Sequence, residues 1–356
     1  MEHPPPRFLF MHLYAGCNLR CTHCTFWRRP NTLGTPKGWE DLRRSEQQAG
    51  YRQMRAQVVA EFAALNPRGV VVSHGGEALL DWDDYLDFCR LCRDHKLKLL
   101  SVTNGTPISS LARAELLVLG GPSEITVSFD SIRPETHDAM RGTAGTFAKA
   151  TSAVVALLRA RYKHHGSLRV NAMLLLCRST YETLDEAYDL ALGDLGVDKL
   201  KLNVVQPSFG LDTGGDEFFA REHDVDPDRL REILGRVDAK YKLGFNPRWV
   251  DQVCMYFRSV GSDPRAGEGW RGDLATSEHV CDSYDRNVWV SREGTMQLCC
   301  DSRWAGAAWR ESGDLRRFWE GAGQQRRAMA TCNRLCGMSH SLRNTSATLG
   351  AKQHGR

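Results

Sequence analysis

Three cysteines lie close together near the start of the chain, in the segment CNLRCTHC. They are Cys17, Cys21 and Cys24, with three and then two residues between them, so their thiolates can converge on one metal centre from a single loop. A [4Fe-4S] cube takes four ligands, and a loop that offers three leaves one iron able to bind a cofactor or a substrate. The spacing therefore predicts an iron-sulfur cluster with one open iron.

Two other interpretations of the triplet are a zinc knuckle, in which His23 could be the fourth ligand, and buried thiols that bind no metal. Structural zinc sites usually take paired ligands from two separated loops, and the sequence has no matching pair close downstream. The triplet also follows directly on an apolar segment that has the pattern of a strand. The open iron-sulfur cluster is the better interpretation.

The composition agrees with a metal-binding protein of the cytoplasm. Twelve cysteines are many for a chain in a reducing compartment, and metal ligation explains them better than disulfides do. No apolar run approaches the length that crosses a bilayer. The net charge is only +4 and the basic residues are scattered, so neither a membrane nor a nucleic acid is an expected partner.

An alternation of strand and helix patterns, from residue 7 to about residue 206, must position the cysteines. Apolar runs predict six strands, at Arg7–Tyr14, Gly69–Ser73, Leu97–Thr103, Glu124–Phe129, Leu168–Leu176 and Lys199–Val205. Helices are predicted between them, at Tyr51–Leu65, Asp81–His95, Thr146–Tyr162 and Tyr181–Leu195. Six such units predict an α/β fold, a partial (β/α)6 barrel of the TIM type.

Polar motifs follow four of the predicted strands. The cysteine triplet follows the first strand, Gly75-Gly76-Glu77 the second, Asn104-Gly105 the third and Asp130-Ser131 the fourth. Parallel α/β sheets and barrels bind ligands at the carboxyl ends of their strands. These motifs are therefore expected to meet at one edge of the sheet.

The strand and helix alternation stops after residue 206. A connecting segment at 207–275 contains one predicted helix at Pro227–Tyr241, and a small C-terminal domain is predicted at 276–345. That domain contains a hairpin pattern, NVWVSREGTMQLCC, and a helical stretch at Leu315–Met329. A domain of this size is too small to be stable alone, so we expect its folding to depend on a bound metal or on contacts with the larger domain. Residues 346–356 are expected to be a disordered tail.

The first 205 residues resemble the radical S-adenosylmethionine (SAM) superfamily. Its hallmark is Cys-x3-Cys-x-aromatic-Cys, and His23 stands at the aromatic position. The resemblance implies that SAM binds the open iron through its amino and carboxylate groups. An electron, from a reductant such as flavodoxin or ferredoxin, then cleaves SAM to a 5′-deoxyadenosyl radical, which abstracts a hydrogen atom from the substrate.

The resemblance also implies a set of SAM-binding residues. Gly75, Gly76 and Glu77 resemble the motif that holds the methionine ammonium, although Ala78 stands where the family usually has proline. Further candidates are His23, Asn104, Asn171, Ser128 and Asp130, the last two near the ribose, and Arg141, which can meet the SAM carboxylate. For Asp130 a helix N-cap, and for Arg141 a surface salt bridge, are alternative roles.

The C-terminal cysteines resemble those of the SPASM and Twitch subgroup of this family. Cys281 and Cys299 flank Gly294, with twelve residues before the glycine and four after it, and Cys332 and Cys336 follow. A full SPASM domain has more cysteines, so the resemblance implies the shorter Twitch type, with these four residues as ligands of one closed auxiliary [4Fe-4S] cluster. Cys300 could replace one of them, and a structural zinc on the same four residues is the alternative.

The resemblance implies an oxidoreductase that acts on a small polar substrate. An auxiliary cluster can accept the second electron of a substrate radical, which is the chemistry of the Twitch-type sugar and aminocyclitol dehydrogenases of natural-product pathways. On this hypothesis a secondary alcohol becomes a ketone. A reaction of this kind also needs a base for the hydroxyl proton, which the sequence does not identify.

Three other functions stay open. An epimerase would need a cysteine hydrogen donor, for which Cys254 and Cys300 are candidates. A maturase of ribosomally made peptides often has an amino-terminal recognition domain, for which the sixteen residues before Cys17 leave no room. A non-catalytic iron-sulfur carrier would have no use for Gly75-Gly76-Glu77.

Overall fold

A computed structural model of the chain describes residues 3–14, 16–24, 46–206, 213–258, 279–281, 283–299, 306–329 and 342–344. At 46–49, 213–216, 279–281 and 342–344 it describes the backbone alone. Cys300, Cys332, Cys336 and the predicted tail at 346–356 lie outside the described residues.

Strands and helices alternate through the first part of the chain. The strands are β1 (Phe8–His12), β2 (Val70–His74), β3 (Lys98–Thr103), β4 (Glu124–Ser128), β5 (Arg169–Leu176) and β6 (Lys199–Val204). The helices between them are α1 (Glu46–Leu65), α2 (Trp82–Asp94), α3 (Leu111–Gly120), α4 (Pro134–Arg141), α5 (Thr146–Lys163) and α6 (Leu184–Tyr188). All six strands begin and end within two residues of their predicted bounds, so the predicted alternation is confirmed.

The remainder of the described chain adds shorter elements. These are α7 (Thr213–Glu222), α8 (Pro227–Tyr241), α9 (Pro247–Arg258), β7 (His279–Cys281), β8 (Asn287–Val290), β9 (Thr295–Gln297), β10 (Ala307–Ala308), α10 (Asp314–Gly321), α11 (Gly323–Met329) and β11 (Leu342–Asn344). The helix predicted at Pro227–Tyr241 has those bounds, and the stretch predicted at Leu315–Met329 is two helices that meet at Ala322.

One sheet of nine strands carries the fold, in the order β10-β9-β8-β1-β2-β3-β4-β5-β6. Strands β1 to β6 are parallel neighbours in sequence order, which is the arrangement of a partial barrel. The predicted hairpin is confirmed as β8 and β9, which pair antiparallel. Strand β8 pairs parallel with β1, with Trp289 beside Phe10, so the hairpin extends the barrel sheet itself.

The two faces of the sheet differ because side chains alternate along each strand. Leu9, Val71, Ile125 and Val170 are completely buried on the face that the helices cover. On the other, concave face, the residues of β1 to β3 are partly accessible and Val102 is 41% exposed, whereas Thr126, Ser128 and Asn171 of β4 and β5 are buried. The concave face is therefore open to a ligand along β1 to β3.

Helix α10, in the C-terminal part, packs on α1 of the barrel. The Glu61 carboxylate in α1 accepts hydrogen bonds from Trp309 Nε1 at 3.4 Å and from the Leu315 N–H at 3.0 Å. The buried Trp319 donates from Nε1 to the Pro4 carbonyl at 3.0 Å. These contacts, with the shared sheet, join the C-terminal hairpin and helices to the barrel.

The single helix predicted at Tyr181–Leu195 is three short segments instead. A 3-10 turn at Tyr181–Thr183 leads into α6, and π-helical residues follow at Asp189–Asp194.

The described chain has no helix that is both long enough and apolar enough to cross a lipid bilayer.

Candidate active site

The three cysteines of the first set lie in a loop, residues 16–24, that follows the carboxyl end of β1. Cys21 is buried, while Cys17 and Cys24 are half-buried. The Cys17 sulfur accepts hydrogen bonds from the Leu19 N–H at 3.5 Å and from Asn104 Nδ2 at 3.9 Å. Nη1 of Arg141 donates to the Cys21 sulfur at 3.7 Å. Two of the three sulfurs are thus contacted by N–H groups, from the loop itself, from the end of β3 and from the end of helix α4.

The donor chemistry of this loop, which we name the cluster loop, fits an iron-sulfur cluster. Burial raises the pKa of Cys17 to about 12 and that of Cys21 to about 11, so the metal-free thiols are neutral. Bound iron would take them as thiolates, because a coordinated thiol loses its proton. Hydrogen bonds to the sulfurs are among the features that set cluster potentials. No three His, Cys, Asp or Glu side chains in the described ranges are close enough together to hold a single metal ion.

The glycine pair after β2 lies directly against the start of the cluster loop. Gly75 and Gly76 have φ of 77° and 56°. A Cβ on Gly76 would lie 2.1 Å from the Tyr14 carbonyl oxygen and 2.3 Å from that of Gly16. Only glycine allows this approach in a left-handed conformation. Gly76 therefore lets the turn after β2 pack directly against the backbone of residues 14 and 16, where the cluster loop begins.

Glu77 is buried between the cluster loop and the end of β3. Its N–H donates to the Gly16 carbonyl at 2.8 Å. Its carboxylate accepts from Thr103 Oγ1 at 2.9 Å, from the Asn104 N–H at 2.7 Å and from the Leu79 N–H at 3.3 Å. Burial raises the pKa of Glu77 to about 7 against the opposing effect of these donors. The carboxylate therefore links the second and third strand ends below the loop.

Asp130 and Arg141 are paired with each other in this structure. Nε of Arg141 is 2.6 Å from Oδ2 of Asp130, and Nη2 is 2.8 Å from Oδ1. Burial alone would raise the pKa of Asp130, but the guanidinium outweighs it and holds the pKa below its usual range. His23 Nε2 also lies 3.7 Å from Oδ2. Neither Asp130 as a helix N-cap nor Arg141 in a surface salt bridge describes this buried pair.

His137, in helix α4, also contacts Asp130. Burial lowers its pKa to about 4, so the ring is neutral near pH 7 and its Nδ1 accepts the Asp130 N–H at 3.1 Å. The proton of the ring is then on Nε2. A neutral histidine leaves the Arg141 guanidinium as the neutralising partner of Asp130.

The remaining SAM-binding candidates lie below the cluster loop on the sheet. Ser128 ends β4 and Asn171 lies in β5, and both side chains are buried on the concave side by their alternation. Asn104 donates from Nδ2 to Asn18 Oδ1 at 3.0 Å as well as to Cys17. The structure thus brings every predicted SAM-binding residue to the carboxyl edge of β1 to β5 or to the concave face beneath it.

An imidazole and aromatic cluster on the concave face was missed by the sequence analysis. His12 and His74 are the last residues of β1 and β2, and their rings are 5.6 Å apart. Trp289 of β8 stacks on Phe10 at 3.8 Å and meets His74 edge-on at 4.8 Å. The alternation in FLFMH and VVVSH could have placed both histidines on the open face, but Trp289 reaches His74 only through the pairing of β8 with β1.

A second polar group lies on the same face towards β6. Lys201 Nζ donates to the Glu124 carboxylate and, at 3.1 Å, to Thr126 Oγ1. Thr126 pairs in register with Asn171 of the next strand. The concave face thus carries hydrogen-bonding groups at both sides, beneath the cluster loop.

The C-terminal cysteines are only partly described. Gly294 turns the hairpin with φ of 82°, and Cys299 follows β9 half-buried, while Cys281 ends β7. Because β9 runs antiparallel to β1, Cys299 lies at the amino end of β1, away from the cluster loop. The five residues of β1 span about 13 Å at roughly 3.3 Å per residue. A metal on Cys299 would therefore lie at the end of the sheet opposite to the cluster loop.

Cys254 lies apart from the concave face. It is buried in α9, which packs on α8, and the charges that act on its thiol include Arg231 of α8. Burial raises its pKa, so it is a neutral thiol. The geometry does not bring it to the cluster loop, and its sequence-based alternative as hydrogen donor, Cys300, lies outside the described residues.

The model of the radical SAM superfamily matches residues 11–191, which is 181 of the 356 residues. The match begins inside β1 and includes the cluster loop, Gly75-Gly76-Glu77, Asp130 and Arg141.

Two curated proteins are similar in sequence. One is the AdoMet-dependent heme synthase of Methanosarcina barkeri, 30% identical over 157 residues, which are 44% of this chain and 40% of that protein. The other is the antilisterial bacteriocin subtilosin biosynthesis protein AlbA of Bacillus subtilis, 24% identical over 204 residues, 57% of this chain and 40% of that protein. The matched part of the chain thus spans well under half the length of both relatives.

Solved structures share the fold. Streptococcus suis SuiB matches with a TM-score of 0.58 and 14% identity, over 89% of this chain and 66% of that one. A structure of anSMEcpe with bound AdoMet matches with a TM-score of 0.57 and 15% identity, over 92% of this chain and 80% of that one. At these identities the likeness concerns the fold alone.

Proposed function

Because the chain belongs to the radical SAM superfamily, we propose that it oxidises a secondary alcohol of a small polar molecule, such as a sugar or aminocyclitol, to a ketone. Cys17, Cys21 and Cys24 would hold the [4Fe-4S] cluster, and Cys281, Cys299, Cys332 and Cys336 an auxiliary one. When bound, the first cluster and SAM supply a 5′-deoxyadenosyl radical, and the auxiliary cluster supplies an electron acceptor.

The residues at the carboxyl edge of the sheet would orient SAM. Glu77, Asn104 and the Asp130–Arg141 pair present charged and amide groups around the cluster loop. His23 lies within the same loop, Gly75 and Gly76 border it, and Ser128 and Asn171 lie beneath it. Arg141 keeps Nη1 towards the loop, since its other two donors hold Asp130.

The observation that carries the proposal is the pair His12 and His74 on the concave face. They are the last residues of β1 and β2, and the cluster loop follows β1. Oxidation of a carbinol removes a hydrogen atom from carbon, a proton from oxygen and one further electron. An imidazole is the side chain best suited to accept such a proton near neutral pH. His12 Nε2 donates to the Tyr14 carbonyl at 3.1 Å, which leaves Nδ1 of the neutral ring as its basic atom.

The rest of the concave face suits a hydroxylated ligand. The partly accessible Lys201–Glu124 pair offers a donor and an acceptor across the sheet from the histidines, and the buried Thr126 and Asn171 lie beside it. A site built to hydrogen-bond several hydroxyls selects strongly against analogues that lack them. These groups would position the ring whose carbon faces the cluster loop.

The test is anaerobic turnover of reconstituted protein with SAM, a reductant and a panel of cyclitols and sugars that includes 2-deoxy-scyllo-inosamine. We expect one equivalent of ketone for each 5′-deoxyadenosine. Deuterium at the oxidised carbon should appear in 5′-deoxyadenosine. The proposal fails if SAM is consumed without a two-electron-oxidised product, or if the product keeps its hydroxyl and carries solvent deuterium at the attacked carbon, as in epimerisation.

Modification of a ribosomally made peptide is a second candidate. The likeness to AlbA, which is named for the biosynthesis of the bacteriocin subtilosin, favours it. The fold likeness extends to SuiB bound to the precursor peptide SuiA, with a TM-score of 0.59 and 12% identity over 89% of this chain. Turnover of a peptide encoded beside this gene, with none of the cyclitol panel, would replace the first proposal by this one.

A further inference from the structure

The cluster loop rests on the last turn of helix α4. An α-helix leaves its final carbonyls without partners inside the helix, and other groups must satisfy them. Here the Arg20 N–H donates to the Arg141 carbonyl at 3.2 Å, and the Thr22 N–H donates to the Met140 carbonyl at 2.8 Å. Thr22 Oγ1 donates to the same Met140 carbonyl at 3.2 Å. The residues on both sides of Cys21 thus cap the helix.

Gly142, the residue after this turn, leaves no room between helix and loop. A Cβ built on it would lie 2.3 Å from the Arg20 carbonyl oxygen, 2.8 Å from the carbonyl carbon and 3.1 Å from Arg20 Cβ. Backbone atoms cannot rotate away as a flexible side chain can. Gly142 also has φ of 64° and ends the helix in the left-handed conformation that glycine adopts most easily.

The last turn of α4 is fixed by other contacts, so a side chain at residue 142 would displace the cluster loop and not the helix. Asp138 in α4 accepts hydrogen bonds from the Gly145 N–H, from Thr146 Oγ1 and from the Phe147 N–H, at 2.5 to 2.8 Å, and so caps the start of α5. Arg141 is fixed by its two contacts to Asp130 of the β4 end. The last turn of α4 is thus attached to two other elements of the barrel.

We propose that Met140, Arg141 and Gly142 form the seat of the cluster loop and that Gly142 is a positioning residue for the ligand Cys21. The seat fixes the backbone before and after Cys21, so its sulfur is aimed at the cluster before iron binds. The inference depends on Cys21 being a cluster ligand but not on the substrate or on the fate of the substrate radical.

Gly145 provides a matched control three residues away. It has φ of 76°, and a Cβ on it would meet nothing within 4 Å. Gly142→Ala and Gly145→Ala therefore introduce the same backbone strain, and only the first adds a clash with the loop. Both metal-free variants should unfold in one cooperative transition, with the far-ultraviolet circular dichroism of the unchanged chain.

The measurement is the electron paramagnetic resonance signal of the reduced, reconstituted protein that shifts when SAM is added. Only a cluster with an open iron can bind SAM, so the shift distinguishes this cluster from an auxiliary one. We expect Gly145→Ala to keep it at full intensity and Gly142→Ala to lose most of it. Equal signals in the two variants, whether both kept or both lost, would overturn the proposal. No signal in the unchanged chain would instead count against the proposed function.

Thr22 gives a second test in case Gly142→Ala does not fold. Thr22→Val removes the hydroxyl bond to the Met140 carbonyl but keeps the shape of the side chain, and Thr22→Ser keeps the hydroxyl. Thr22→Val should lose iron to a chelator several-fold faster than the unchanged chain, while Thr22→Ser should match it. Equal rates in both variants would also overturn the proposal.

Discussion

The guanidinium of Arg141 holds the carboxylate of Asp130 by two contacts, of 2.6 and 2.8 Å, in the buried space beneath the cluster loop. Loss of one partner leaves the other charge buried without compensation, which costs about 3–5 kcal/mol. Asp130→Asn should therefore lower the free energy of unfolding of the metal-free chain by that amount in urea titrations.

The exposed pair Arg133–Glu186 is the control for this prediction, with contacts of 2.9 Å at half-exposed side chains. Glu186→Gln should cost less than about 1 kcal/mol, because water screens the pair. Similar costs for Asp130→Asn and Glu186→Gln would mean that the Asp130–Arg141 pair is not desolvated as the structure has it.

Glu77 should give the metal-free chain a distinctive pH dependence. Its pKa of about 7 in the folded state lies above the ordinary 4.5, so the folded chain binds the extra proton more tightly. This contribution to stability is fully present below pH 4.5 and is lost as the pH rises through 7. The stability of the unchanged chain relative to Glu77→Gln should fall between pH 4.5 and 8 by up to about 3 kcal/mol. A difference that rises or stays constant over this range would contradict the buried carboxylate.

Metal content should separate the two cysteine sets. Two [4Fe-4S] clusters correspond to about eight irons per chain, and either set alone to about four. Replacing Cys17, Cys21 and Cys24 by alanine should leave the auxiliary iron, and replacing Cys281 and Cys299 should leave the SAM-responsive iron. Zinc in the chain without the first set, in place of iron, would identify the C-terminal site as structural zinc.

The histidine pair should affect oxidation and not SAM binding. Replacing His12 and His74 together by glutamine should slow ketone formation by about 10²- to 10⁴-fold, the usual range for a general base. The shift of the cluster signal on SAM addition should persist. His165→Asn, at an exposed residue just after the end of α5, is the control and should not change the rate. An unchanged rate in the double variant would show that neither His12 nor His74 accepts the hydroxyl proton.

Much of the barrel was predictable because its signals are local. Each of β1 to β6 is an apolar run bounded by polar or glycine residues, and each polar motif follows its strand within a few residues. Strand order then follows, since consecutive parallel strands joined by helices tend to be neighbours. The cluster loop, Gly75-Gly76-Glu77 and Asn104 thus meet as expected.

What the sequence left out depends on contacts between distant residues. The pairing of β8 with β1 joins segments about 280 residues apart, so neither Trp289 beside His74 nor the position of Cys299 could be inferred from local pattern. Asp130 and Arg141 are only eleven residues apart, but their pairing depends on how helix α4 packs against the end of β4, which the local pattern does not show. The π-helical turn at Asp189–Asp194 differs from the predicted regular helix, and its Asp189 is bound by Lys240 and Tyr241 of α8, again distant in sequence.

The central claim is that Cys17, Cys21 and Cys24 hold a cluster at which SAM is cleaved. Its most direct test is anaerobic incubation of the reconstituted, reduced chain with SAM, followed by quantification of 5′-deoxyadenosine and methionine. We expect both products in equal amounts from the unchanged chain and neither from the chain with all three cysteines replaced by alanine. Absence of both products from an iron-loaded chain, or their formation by the triple variant, would contradict the claim.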